Sequence, residues 1–171
     1  MSPKVDKTSP MPEASEPFTP RAEYPRPILV RDQWQSLNGS WLFRSDPDNR
    51  GLTDAWFDGS WTDGQTITVP FSMESAVSGI AAAEGAAVVW YQREVIIPEA
   101  WNCRVVLRIG ASDFLTRVFV NGQEVGQHRG GYASFGFDIQ HALMPGRNRI
   151  TIRVEDSLSW SQRLLQRASE E

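Results

Sequence analysis

Cysteine is nearly absent. The single Cys103 in 171 residues excludes a disulfide within the chain. With no histidine beside it in sequence, it reads as a small packing residue near the start of a strand. Histidine is scarce too. His128 and His141 do not stand at the i, i+4 spacing of helical zinc ligands, so no zinc site is expected. No apolar run approaches the ~20 residues of a membrane-spanning helix. The opening MSPKVDKTSPMPEASEPFTP lacks the apolar stretch of a secretory signal. These two absences lead us to expect a soluble, cytoplasmic chain without a membrane partner. An excess of one charge is missing as well. The net charge is -4 with the acids spread along the sequence, which argues against nucleic acid as a partner and against an acidic interaction tail. No helical period is sustained over about ten residues, and no internal repeat is visible.

What the chain has is alternation. Val105, Leu107 and Ile109 share one face, with Arg104 and Arg108 on the other. Val118 and Val120 repeat the pattern, then Asn121-Gly122 supplies a type I′ hairpin turn, because both residues tolerate positive φ. Gln123 to Gln127 is expected to pair back antiparallel. Ile150, Ile152 and Val154 alternate with Arg149, Thr151 and Arg153, which predicts a half-buried strand with a basic outer face. Val88 to Ile97 is apolar on both faces apart from Arg93 and Glu94, as a central strand would be, and Pro98 stops it. Asn38-Gly39 reads as another tight turn, followed by Trp41 and Phe43 pointing the same way. Leu52 to Phe57 reads as one helical turn. Thr66 to Val69 is a short strand closed by Pro70, 73–85 a long loop, and Ala142 to Gly146 a turn or 3₁₀ segment.

The size and the 40% hydrophobic content suit one core, and 7 Trp with 8 Phe supply its bulk. A single sheet would leave those rings without a second layer. We therefore expect an all-β sandwich of two antiparallel sheets about 10 Å apart. Residues 1–23, rich in Pro, Ser and charge, read as a disordered tail. The ordered domain is expected over 24–156, with 157–171 as a divergent C-terminal tail. In that tail Trp160 and Leu164 are spaced i, i+4, as in a short amphipathic turn.

Several motifs occur in a telling order: Leu37-Asn38-Gly39-Ser40-Trp41-Leu42-Phe43, Asp48 to Gly51 followed by Trp56, and Val69-Pro70-Phe71-Ser72. Trp90-Tyr91-Gln92-Arg93-Glu94, Val120-Asn121-Gly122, Gly130-Gly131-Tyr132 and Phe137-Asp138-Ile139 follow. Together they resemble the N-terminal sugar-binding domain of family 2 glycoside hydrolases, the β-glucuronidase and β-galactosidase group. The resemblance spans about Tyr24 to Asp156 and implies a jelly-roll β-sandwich. It also implies a non-catalytic, carbohydrate-binding accessory role. The family's two catalytic glutamates lie in a (β/α)₈ barrel, which needs about 250 residues of its own. No Asn-Glu dipeptide of the kind that carries the family's acid occurs in this chain. The expected partners are thus a weakly held carbohydrate and the immunoglobulin-like and barrel domains of longer homologues. The ending from Arg163 to Glu171 departs from the family pattern and reads as a truncation or frameshift.

Candidate sites divide into two groups. Glu74, Ser75 and Glu84 stand in the loop that, by the resemblance, approaches the substrate pocket; carboxylates and hydroxyls make the directional hydrogen bonds that sugars require. Solvated surface charge is the competing reading for both glutamates. Arg129 and Tyr132 flank Gly130-Gly131 and suit a hydroxyl-rich ligand, against a turn with a packed tyrosine. Trp56 and Trp61 suit either stacking on a pyranose or core packing. Asp46, Asp48 and Asn49 resemble a calcium loop but lack its later bidentate glutamate, and turn chemistry accounts for them equally well. No catalytic residue, metal or cofactor is assigned. The competing function is a β-sandwich interaction or scaffold module that binds no sugar.

Overall fold

The computed structural model describes residues 19–23, 31–81, 86–101 and 103–156. They form an all-β unit of eight strands: β1 Gly39–Ser45, β2 Gln65–Val69, β3 Val88–Ile96, β4 Val106–Ile109, β5 Leu115–Val120, β6 Gln123–Arg129, β7 Phe135–Asp138 and β8 Arg147–Glu155. Two 3₁₀ turns, Ala76–Ser78 and Gln140–Ala142, complete the regular structure. No helix among the described residues is long and apolar enough to cross a membrane. One sheet has six strands in the order β2-β1-β3-β8-β5-β6, and the other has two, β4-β7. All pairings are antiparallel. β3 pairs with β8, β4 with β7 and β5 with β6, so each pair encloses the next along the chain. Successive pairs alternate between the sheets, which is the winding of a jelly roll.

The inner face follows the alternation in the sequence. Trp41, Phe43, Ile67, Leu107, Val118, Val120 and Ile150 are all buried in one cluster between the layers. Where the layers meet at β6, Phe137 covers Gly126 so closely that a Cβ there would lie 2.4 Å from the ring. The second layer has only two strands. Met73, Ile80 and Ala86, from the connection between β2 and β3, pack against the same cluster.

The outer face of β8 corrects one expectation. Thr151 is 1% and Arg153 2% exposed, so this face is not a basic surface. Loop 46–64 covers it, and Trp61, Val88, Trp90 and Phe119 form a second cluster there, flanked by Trp56 and Phe57. Arg153 donates to Asn49 Oδ1 at 2.7 Å and to the Glu155 carboxylate at 2.9 Å. Strand periodicity reports which residues share a face. It does not report that a distant loop brings acceptors to meet them.

Asp46 organises that loop. Its buried carboxylate accepts from the Arg50 N–H at 2.7 Å, the Gly51 N–H at 2.9 Å and Trp90 Nε1 at 2.9 Å. Its oxygens are thereby engaged by N–H donors, which is the turn chemistry and not the calcium reading. Leu52 to Phe57 is a bonded turn and not a helical one: Trp56 N–H reaches the Gly51 carbonyl, but Ala55 has φ of 52°.

Two turn readings part company. Asn121 and Gly122 have φ of 52° and 87°, as the type I′ turn demands, and the Asn121 amide also donates to Ala142 O and Asn148 Oδ1 at 2.8 Å. Asn38-Gly39 makes no tight turn. Gly39 opens β1, and the Asn38 amide reaches the carbonyls of Pro20 and Arg21 instead. The second 3₁₀ turn ends at Ala142, ahead of the expected segment, and Asn148 fixes Met144 through both its N–H and its carbonyl. The tail segments 1–18 and 157–171 lie outside the described residues.

Gly51 tests the packing over β3. A Cβ there would stand 2.6 Å from the Trp90 indole, whereas one at Gly110 meets nothing within 4 Å. Gly51→Ala is expected to destabilise the domain by about 1–3 kcal/mol through overpacking. Gly110→Ala is expected to stay within about 0.5 kcal/mol of the parent. Urea denaturation followed by tryptophan fluorescence reads both.

Candidate functional site

The connection after β2 is braced. Phe71 N–H bonds the Thr68 carbonyl, Ser75 N–H the Ser72 carbonyl, and Ser78 N–H the Ser75 carbonyl. Ser78 is fully buried; its hydroxyl reaches Met73 O at 3.5 Å and accepts from Ile80 N–H at 3.1 Å. Gly79 closes the 3₁₀ turn with φ of 87°. This scaffold leaves Glu74 exposed, Ser75 half-buried and Val77 60% exposed. Glu84 lies outside the described residues.

Tyr91 joins this loop and was not singled out in the sequence. Its ring stands edge-on to Phe43 at 5.5 Å on the inner face of β3. Burial, with the Glu74 carboxylate adding to it, pushes its phenol up to about 12. The clue was its place in strand alternation between Trp90 and Gln92, which puts a polar phenol on the apolar face. Glu74 and Ser75 thus offer a carboxylate and a hydroxyl on one loop, and the Glu74 carboxylate acts electrostatically on the Tyr91 phenol. That set both donates to and accepts from hydroxyl groups.

Arg129 and Tyr132 stand elsewhere. Arg129 ends β6 with its guanidinium 5.7 Å over the Phe114 ring. Gly130 N–H donates to Phe114 O at 2.8 Å. The Asp113 carboxylate occupies the space a side chain on Gly131 would need, 2.7 Å from its Cβ position. Tyr132 is 99% exposed, so the packed-tyrosine reading does not hold. The glycine pair turns the chain over Asp113 and Phe114, and no described residue covers the Tyr132 ring. β2 and β6 are the two edges of the six-stranded sheet, five spacings of about 4.8 Å apart. The structure therefore does not unite Glu74 and Ser75 with Arg129 and Tyr132.

Trp56 and Trp61 are packed. Their rings meet edge-on at 6.5 Å, Trp61 Nε1 donates to Trp56 O at 2.8 Å, and Arg44 lies over both. Beside them is an open hollow of about 260 Å³ lined by Ser40, Leu42, Ser60, Trp61, Gln92 and Glu94. Its polar groups are largely spent on the fold. Gln92 accepts from Trp61 N–H and donates to Gly59 O and Thr151 Oγ1. Glu94 accepts from Ser60 and Arg147.

With this geometry established, comparison with known proteins decides the family. The profile of the glycosyl hydrolases family 2, sugar binding domain, matches residues 34–167. The chain belongs to that family. The match reaches into the segment 157–171 that composition sets apart. The β-glucuronidase of Paenibacillus borealis is 37% identical over 139 residues, and the human β-glucuronidase 37% over 150. Each comparison covers 80% of this chain and 23% of the relative, so the chain spans about a quarter of the length of these relatives. A β-glucuronidase structure from Ruminococcus gnavus, in complex with an N1-substituted uronic isofagomine, superimposes with a TM-score of 0.66 at 26% identity. It covers 74% of this chain and 23% of that one. The Lactobacillus rhamnosus β-glucuronidase gives 0.64 at 31% identity, over 71% and 21%. The jelly-roll sandwich expected from the motifs is thus the fold of this family 2 domain.

Tyr91 supplies a pH test of the loop. A phenol raised from its ordinary 10 to about 12 favours the folded state below pH 10, and that contribution is lost as pH rises toward 12. Tyr91→Phe removes this source of alkaline instability. The late component of the phenolate absorbance titration is expected to vanish, with a flatter stability profile between pH 10 and 12.

Proposed function

We propose that the chain acts as a non-catalytic accessory domain of a β-glucuronidase-type hydrolase. In this reading it contributes one wall of a carbohydrate pocket and a structural surface to the domains beside it. The observation that carries the proposal is the braced loop after β2. Buried Ser78 and the packed Met73 and Ile80 brace the loop that carries Glu74 and Ser75, and the Glu74 carboxylate acts on the Tyr91 phenol, in a domain whose relatives are β-glucuronidases.

Catalysis is assigned to other parts of a longer protein. Retaining glycosidases place two carboxyl groups about 5 Å apart, one as nucleophile and one as acid/base. Glu74 is exposed and its charge acts on Tyr91, and we give it a hydrogen-bonding role and no part in bond cleavage. The partners in this proposal are a carbohydrate and the immunoglobulin-like and barrel domains of longer homologues. A wall alone leaves much of a sugar in water, so affinity is expected near millimolar, about -4 kcal/mol.

A second reading, a protein-interaction module without sugar binding, is favoured by the exposure of Val77 and Tyr132, at 60% and 99%. Amide NMR during titration with glucuronate, galactose and mannose separates the two. Shifts confined to residues 73–81 and Tyr91, saturating near millimolar ligand and abolished in Glu74→Ala, are expected for the pocket wall. A spectrum indifferent to all three sugars overturns it in favour of the interaction module.

A further inference from the structure

The loop after β6 is firmly built, yet it carries a ring that stays in solvent. Gly130 N–H is bonded to Phe114 O, and the Asp113 carboxylate fills the space beside Gly131. The Arg129 guanidinium lies over the Phe114 ring. Tyr132 follows at 99% exposure, so its ring contributes nothing to the core. The loop continues β6, an edge of the six-stranded sheet, and the patch therefore lies at the rim where a second molecule can approach.

Two charges of opposite sign belong to the same patch, since both sit against the segments around Phe114 and Gly130-Gly131. Asp113 and Arg129 are exposed, and neither forms an ion pair among the described residues. By contrast, Arg104, Arg117 and Arg147 each meet a carboxylate within the domain. A partner surface of one sign would attract one of the two free charges and repel the other. A patch that holds both signs about an aromatic ring is complementary to itself. Turned through half a rotation and laid on its own copy, it sets each guanidinium against the opposing carboxylate. Tyrosine and arginine are also enriched among the few residues that dominate binding energy at interfaces.

We propose that two copies of this chain associate through this patch about a two-fold axis. The Tyr132 rings meet at the centre, and Arg129 of each copy pairs with Asp113 of the other. The inference is independent of whether the loop after β2 binds sugar. So small a contact gives a weak dimer, with a dissociation constant between about 1 μM and 1 mM.

Sedimentation velocity of the full chain across that concentration range is the test, on the parent and on Tyr132→Ala, Arg129→Asp and Asp113→Arg. The parent is expected to pass from monomer to dimer as concentration rises. Tyr132→Ala is expected to weaken association about tenfold or more. Each charge reversal is expected to weaken it by a similar factor, because the two-fold repeats the like-charged contact. An equimolar mixture of the two reversal variants is expected to recover the parental association, since one variant then carries both cations and the other both anions. Loss of folding in either variant cannot produce that recovery, and unchanged amide spectra for β1 to β8 verify the fold of each. A parent that stays monomeric throughout overturns the proposal and leaves the patch to a neighbouring domain of a longer homologue. A dimer indifferent to Tyr132→Ala, or a mixture that associates no better than either reversal variant alone, overturns it as well.

Discussion

The middle of the six-stranded sheet has to be covered on both sides. β3 and β8 carry large or polar side chains on each face, and a strand of that kind is stable only between two layers. On the inner side the second sheet and the connection after β2 supply cover. On the outer side loop 46–64 does so, and that loop holds its shape because the Asp46 carboxylate gathers two backbone N–H groups and the Trp90 indole. Removing the aspartate would leave the buried Gly51 N–H and Trp90 indole, and the part-buried Arg50 N–H, short of a partner. The second cluster of Trp61, Trp90 and Phe119 exists because a polar turn can be laid over an aromatic floor at that one point. The same cover sequesters Arg153, turning an apparent surface charge into part of the outer layer.

Most of the strand framework was legible, because alternation is a local signal. Val118, Val120 and Ile150 announced their face, and Asn121-Gly122 announced its turn. Trp41 and Phe43 fell where alternation put them, although Asn38-Gly39 did not turn. There the Asn38 side chain is drawn to carbonyls far back in the chain, a contact invisible to a local dipeptide rule. The burial of Thr151 and Arg153 was hidden for the same reason. The winding itself was legible only through the family motifs, since periodicity carries no information about which strands become neighbours.

The candidate site was legible in half. Glu74 and Ser75 were found through the resemblance, and their loop proves to be a braced structure. Tyr91 was missed because a tyrosine in an apolar strand reads as core, and Glu74, whose charge acts on it, comes from a separate connection. Arg129 and Tyr132 were noticed for their chemistry. The packed role weighed against them fails, because the two glycines and Asp113 turn the loop outward. Residue type was informative at both places, and orientation was not.

The nested pairing also governs how the domain comes into being. β3 is synthesised early and β8 last, yet they are the longest pair and lie side by side at the centre. Until residue 155 has been made, β3 lacks one of its two neighbours and the inner hairpin of β5 and β6 has no sheet to join. Contacts so distant in sequence form late and slowly, on the scale of milliseconds to seconds for β-sandwiches. On the ribosome, then, the nascent chain carries an apolar strand with an open edge from the completion of β3 at Ile96 until β8 has been made. A shortened chain ending anywhere before β8 loses the middle of its sheet and not merely its rim.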